Sequence, residues 1–127
     1  MVYEDEKDYI MRIIKEMVRV LISLALGRKY VQVELPKENK YDISRDKMSK
    51  WKDLIDSGNV NEAENMLLDN LDYSDKEDLA EAVFFYEYAS EKGSDFLEKC
   101  NYSEGEVLEG LKQLALHWGC ESVLDLL

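Results

Sequence analysis

Side chains that commonly carry catalysis or metal binding are scarce in this chain, which has one histidine and two cysteines among 127 residues. His117, Cys100 and Cys120 supply at most three soft ligands. A structural zinc site needs four ligands and usually contains a close pair of cysteines. No glycine-rich loop of the kind that cradles phosphates is present either. We therefore predict neither a bound metal nor a cofactor.

Residue pairs suited to catalysis are also missing. Cys120 lies three residues after His117, so the two would be neighbours on any helix. Their spacing is therefore no evidence that Cys120 is a catalytic nucleophile activated by His117. With 28 carboxylates, every pairwise spacing between acids occurs by chance. The stretch 69–80 superficially resembles a calcium loop, but it lacks the glycine at the sixth position and the glutamate at the twelfth. The sequence predicts no catalytic residues, and we expect a protein that is not an enzyme.

Positive charge is scarce in the second half of the chain. Residues 1–56 carry 12 Lys or Arg and 11 Asp or Glu, whereas residues 57–127 carry 4 and 17. The formal net charge of -12 therefore resides in the second half, which repels phosphate backbones. We predict no nucleic-acid binding. The acidic excess is typical of a solvated surface, and a docking surface for a basic partner is the alternative.

Long hydrophobic runs are absent. The most apolar stretch, from Val20 to Leu26, is far shorter than the approximately 20 apolar residues that a membrane span requires. The start of the chain is acidic from Glu4 to Glu6, whereas a secretory signal begins with a basic segment. We expect a cytoplasmic protein with reduced thiols and without a transmembrane segment.

Proline and glycine, which interrupt helices, are also few: there are one and six of them, respectively. Apolar residues at steps of three and four predict a long amphipathic N-terminal helix in residues 1–27. Residues 28–43, with Pro36, are predicted to form a linker, and residues 44–127 a helical-hairpin region. We predict a single all-α domain of five to six helices over residues 1–127. The stripe of the first helix consists of Ile10, Ile14, Met17, Leu21 and Leu24.

Start and stop signals divide the second part of the chain into helices. Glycine ends three predicted helices, and each predicted start pairs a polar capping residue with a glutamate three positions later. The predicted stops are Gly58, Gly93 and Gly119, and the predicted starts are Asn59 with Glu62, Ser74 with Glu77, and Ser103 with Glu106.

Two resemblances add to this interpretation. The run Gly58-Asn59-Val60-Asn61-Glu62-Ala63 resembles the tetratricopeptide pattern over roughly one hairpin, in which a small alanine lets two helices approach closely. The whole chain resembles a small family of uncharacterised bacterial proteins, a domain of unknown function found mainly in Gram-positive species. That resemblance implies a tetratricopeptide-like helical fold and no transferable activity. It is carried by Asp8 to Ile14, Asn61 to Asn65, Gly110-Leu111 and Trp118-Gly119.

Four aromatic residues lie within the five positions from Phe84 to Tyr88, more than one face of a helix can bury. Phe85 and Tyr88 are therefore predicted to form an interaction surface, although packing inside the domain is the alternative. The leading hypothesis is a protein-interaction or scaffold module whose partners are unknown and which forms a homodimer through its first helix. The other hypothesis is peripheral membrane attachment, with Arg12, Lys15 and Arg19 toward anionic lipid.

Overall fold

The computed structural model describes residues 6–26 and 45–117, and within them it contains helices and turns but no strand. The predicted all-α fold with a long N-terminal helix is confirmed. The predicted linker 28–43 lies outside the described residues, as do Gly119 and Cys120. The six helices are α1 (Glu6–Leu26), α2 (Arg45–Asp56), α3 (Val60–Asp69), α4 (Lys76–Glu91), α5 (Ser94–Lys99) and α6 (Glu104–His117).

Helix α4 is the centre of the fold and contacts each of the other five helices. Ten of its 16 residues are buried, and they lie on every side of the helix rather than along one stripe. A helix that is apolar all round belongs in the middle of a core. The aromatic cluster lies in α4, and most of its rings are therefore covered by neighbouring helices.

Helix α1 packs along α4 and α6 through its apolar stripe. Ile14, Met17, Leu21 and Ile22 have no exposed surface, so the stripe is part of the core of its own domain. Burying each such side chain stabilises the fold by about 1.5–3 kcal/mol. The exposed large apolar side chains of α1 are Tyr9 and Leu24, at 50% and 44% exposure.

Helices α2 and α3 form the predicted hairpin, and Gly58 is the residue that turns the chain. Its φ of +94° lies in the region that favours glycine. The Gly58 amide donates to the Ile55 carbonyl at 2.9 Å, and the next amide donates to the Leu54 carbonyl at 2.8 Å. These bonds satisfy the last carbonyls of α2. The predicted stop at Gly58 is confirmed.

The three predicted helix starts have three different outcomes. Ser103 Oγ accepts the Glu106 amide at 3.1 Å, as predicted. The cap of α4 is Asp75, whose carboxylate accepts the amides of Glu77 and Asp78, one residue later than predicted. The predicted cap of α3 is wrong, because the Asn59 side chain makes no capping hydrogen bond and instead donates to Ser57 Oγ at 3.2 Å.

The cap of α4 provides a stability test. Asp75→Ala is expected to lower the free energy of unfolding by about 1 kcal/mol, because two amides at the start of the central helix lose their acceptor. Ser74→Ala is the matched control: its exposed hydroxyl bonds only to Asp72 among the bonds described, so its cost should be within about 0.5 kcal/mol. Urea unfolding followed by circular dichroism measures both. A larger loss for Ser74→Ala would contradict the assignment of the cap.

Candidate functional site: an acidic aromatic groove between α3 and α6

The residues predicted to form an interaction surface lie mainly inside the domain. Ile14, Met17, Leu21 and Phe85 have no exposed surface, and Ile10 is partly buried against the core. The stripe of α1 is covered by α4 and α6 of the same chain. The reason for predicting self-association or membrane binding through this stripe therefore no longer holds. Leu24 remains exposed.

Tyr88 is partly buried and engaged by neighbours from its own chain. Its hydroxyl donates to Asp56 Oδ1 at 2.7 Å, and the Lys92 ammonium lies 5.0 Å from the centre of its ring. Lys92 also pairs with Asp56 at 2.5 Å. The hydrogen bond from Lys92, followed by that from Tyr88, lowers the pKa of Asp56. Phe85 packs edge-on against Trp51 with ring centres 5.5 Å apart. The predicted aromatic surface is thus a core contact and a small polar network.

A groove of about 240 Å³ lies between α3 and α6, both of which pack on α4. We call it the α3–α6 groove. Its walls contain three carboxylates and two tyrosine rings, and none of its lining residues is lysine or arginine. The lining residues are Glu64, Leu68, Tyr73, Tyr86, Glu106, Glu109, Gly110, Gln113 and Leu114.

The floor of the groove depends on a close approach of Tyr86 to Gly110. A Cβ atom at Gly110 would lie 2.3 Å from both Cε1 and Cζ of Tyr86, which is much closer than any van der Waals contact. Glycine inside a helix costs about 1 kcal/mol relative to alanine, so a packing reason is expected for it. Here the reason is the ring of Tyr86, which lies directly against the backbone of α6.

Tyr86 holds Glu64 in place at one wall of the groove. The Tyr86 hydroxyl donates to Glu64 Oε2 at 2.7 Å. Burial, followed by the hydrogen bond to Glu64, raises the pKa of Tyr86 well above its usual value. The phenol thus remains a donor at every physiological pH, and it fixes the orientation of the carboxylate.

Tyr102 adds a second buried hydroxyl beside the same carboxylate. Its side chain is 3% exposed, and burial together with the charge of Glu64 raises its pKa. Within the described chain this hydroxyl makes no hydrogen bond of normal geometry, although it lies near Glu64 and Glu106. A buried hydroxyl in this state costs free energy, and Tyr102 is not among the residues that line the groove.

Tyr73, one of the lining residues, belongs to a stacked pair of rings. The ring of Tyr73 lies on that of His117, with centres 4.0 Å apart and planes 19° apart. This contact joins the α3–α4 turn to the end of α6. Gln113 Nε2 donates to Glu109 Oε2 at 3.1 Å and orients that carboxylate as well. His117 is exposed at the end of α6.

A second cavity of about 330 Å³ lies between α2, α3 and α4. Trp51 Nε1 donates to the buried carboxylate of Glu81 at 3.1 Å on its wall. Lys50 and Asp78 also line it, so its charges have both signs. This cavity is larger than the α3–α6 groove, but it is lined by both positive and negative side chains, whereas all the ionic groups of the α3–α6 groove are anionic. We therefore regard the α3–α6 groove as the more selective site.

The described residues contain no group of three or more His, Cys, Asp or Glu side chains positioned to hold a metal ion. Cys100 is partly buried and lies near the Gly58 turn, where its sulfur would be 3.7 Å from a Cβ at Gly58. Its carbonyl and that of Asn101 accept from Asn61 Nδ2. Cys120, the other candidate ligand, lies outside the described residues.

The α3–α6 groove was not predicted as a site, although two segments that carry the family resemblance contribute to it. Glu64 belongs to the segment Asn61 to Asn65, and Gly110 belongs to the pair Gly110-Leu111. The available signal was a glycine inside an otherwise regular helical pattern, which suggests a close neighbour. The identity of that neighbour, Tyr86, depends on tertiary packing.

Comparisons with known proteins give one match. No curated protein and no solved structure matches the chain. None of the helices within residues 6–26 and 45–117 combines the length and apolar character needed to cross a bilayer. A family model matches residues 4–119, nearly the whole chain. The chain therefore belongs to the family described as a family of unknown function (DUF6483).

Proposed function

We propose that this protein is a non-enzymatic interaction module that receives a positively charged segment of a partner protein in the α3–α6 groove. One observation carries the proposal: the groove combines three carboxylates with two tyrosine rings and has no lysine or arginine in its lining. Cations are attracted both to carboxylates and to the faces of aromatic rings. A partner with basic side chains is therefore the complementary one.

The charge of the surrounding elements supports the same kind of partner. Helix α3 carries three acidic residues and no basic one, and α6 carries three glutamates against a single lysine. A surface of one sign attracts oppositely charged proteins and speeds their encounter. We also propose that the protein acts in the cytoplasm. In this proposal it is a small scaffold protein whose α2–α3 hairpin is tetratricopeptide-like.

The test is affinity capture from the native host with three versions of the protein. The groove variant carries Glu64→Gln, Glu106→Gln and Glu109→Gln, which removes the groove's negative charge while keeping side-chain size. The control variant carries Asp53→Asn, Glu91→Gln and Asp95→Asn at three exposed carboxylates outside the groove lining. Both variants change the net charge by the same amount, so a difference between them reports on position.

We expect at least one protein with a basic segment to bind the wild type and the control variant but to bind the groove variant about tenfold more weakly. Purified wild type and variants, titrated with that protein, give the affinities. If both triple variants lost the same amount of binding, the interaction would depend on the overall charge of the protein and not on the groove. Equal binding by all three versions would reject the groove as the docking site.

A further inference from the structure

The α3–α6 groove is small for a ligand pocket. Pockets that hold drug-sized ligands and cofactors measure roughly 300–1,000 Å³. At about 240 Å³ the groove is smaller than that range. Its lining also lacks the glycine-rich backbone that phosphate-bearing cofactors require. A single long cationic side chain, projecting from a partner, suits this volume.

The acceptors in the groove are arranged for a donor that forms several hydrogen bonds at once. Glu64 approaches from α3, whereas Glu106 and Glu109 approach from α6 on the opposite wall. Glu64 is held by Tyr86, and Glu109 is held by Gln113. Acceptors that are already fixed lose little entropy when the ligand arrives. A guanidinium has five N–H donors in a planar fork, whereas an ammonium is a compact point charge with three.

The aromatic residues of the groove also favour a planar cation. Tyr73 lines the groove while its ring is stacked on His117, which restricts its rotation. Arginine stacks on aromatic rings by cation–π and planar contact, whereas lysine is more strongly hydrated and gains less from them.

From these contacts we infer that the group recognised by the α3–α6 groove is the guanidinium of an arginine in the partner protein. This inference depends on the proposed function and specifies its chemistry. Glu64 is the principal acceptor, because Tyr86 fixes its orientation. Glu106 and Glu109 supply the opposite charge, and Tyr73 supplies an aromatic wall.

The experiment is calorimetric titration of the full chain with three short probes: acetyl-Gly-Arg-Gly-amide, the lysine analogue and the citrulline analogue. Citrulline keeps the planar shape of arginine but has no charge. We expect the arginine probe to bind with a dissociation constant on the order of millimolar. The lysine probe should bind at least about threefold more weakly, and the citrulline probe at least about tenfold more weakly.

Variants locate the site in the same assay. Glu64→Gln keeps an acceptor for Tyr86 and is expected to lower the affinity for the arginine probe about tenfold. The control Glu91→Gln should leave that affinity unchanged. Glu109→Gln is the second groove variant, which serves if Glu64→Gln fails to fold. Equal affinities for the arginine and lysine probes, or unchanged binding to both groove variants, would overturn the inference.

The two proposals fail in different ways. If no arginine probe binds but the captured partner still depends on the three groove glutamates, the arginine assignment is wrong and the interaction function stands. If the arginine probe binds at the groove but partner capture does not depend on those glutamates, the proposed function is wrong while the recognition of guanidinium stands.

Discussion

Replacing Gly110 with alanine is expected to lower the free energy of unfolding by about 2–4 kcal/mol. The new Cβ would lie 2.3 Å from two ring carbons of Tyr86, a 1% exposed side chain whose ring would have to move away from α6. Moving the ring also breaks the 2.7 Å hydrogen bond to Glu64. The gain in helix propensity, about 1 kcal/mol, offsets only part of this cost. Urea unfolding at neutral pH measures the difference.

Gly105 provides a control on the same helix. A Cβ there would meet only Ser103 Oγ at 3.6 Å, an ordinary contact, so Gly105→Ala should be neutral or stabilising. A double-mutant cycle isolates the clash: when Tyr86 is already leucine, Gly110→Ala should lose most of its cost. If Gly110→Ala were neutral in the wild type, the close approach that forms the floor of the groove would be wrong.

Glu87 is expected to make the stability of the fold fall as pH rises from about 4.5 to about 7. Burial, then the neighbouring Glu91, raises the pKa of Glu87 from 4.5 to about 7, while Lys15 of α1 opposes the shift. The Glu87 Oε1 atom is buried and has no hydrogen-bond partner in the described chain. The folded state therefore binds a proton that the unfolded state has already released.

The sign of the effect follows from this difference in proton binding. The stabilising contribution of protonated Glu87 is complete below pH 4.5 and is lost as pH rises through about 7. Over this range the loss amounts to about 3 kcal/mol. Glu87→Gln mimics the protonated side chain, so it should match the wild type near pH 4.5 and be more stable by up to about 3 kcal/mol at pH 8.

Unfolding curves of wild type and Glu87→Gln at several pH values give this difference directly, because the other titrating groups cancel. The control Glu91→Gln removes an exposed negative neighbour that raises the pKa of Glu87, so it should retain a fall in stability that is slightly smaller and ends at a slightly lower pH. A constant difference between wild type and Glu87→Gln across the range would show that the pKa of Glu87 is not raised in the folded state.

The helices could be predicted from the sequence because they depend on local patterns. The stripe of α1, with Ile14, Met17 and Leu21, has the spacing of one helical face, and Gly58 ends α2 where the glycine signal places it. The start of α4 was displaced by one residue, because both Ser74 and Asp75 are good caps and the choice depends on which side chain reaches the amides.

The surface against which each apolar helix face packs could not be predicted from the sequence. The stripe of α1 is equally suited to another chain, a membrane or its own core, and only the packing of α4 and α6 decides. Phe85 is buried for the same reason, since α4 is covered on all sides. The groove combines Glu64, Tyr86 and Gly110 from three helices, and their meeting depends on distances between helices.

The most direct test of arginine recognition by the α3–α6 groove is to map where acetyl-Gly-Arg-Gly-amide binds, by following backbone amide signals of the isotope-labelled protein during a titration. We expect the largest shifts at Glu64, Tyr73 and Gly110, which line the groove. The signals of Gly58 and Gly93, outside the groove lining, should hardly move. Shifts spread evenly over the acidic surface, or concentrated away from the groove, would contradict arginine recognition at this site.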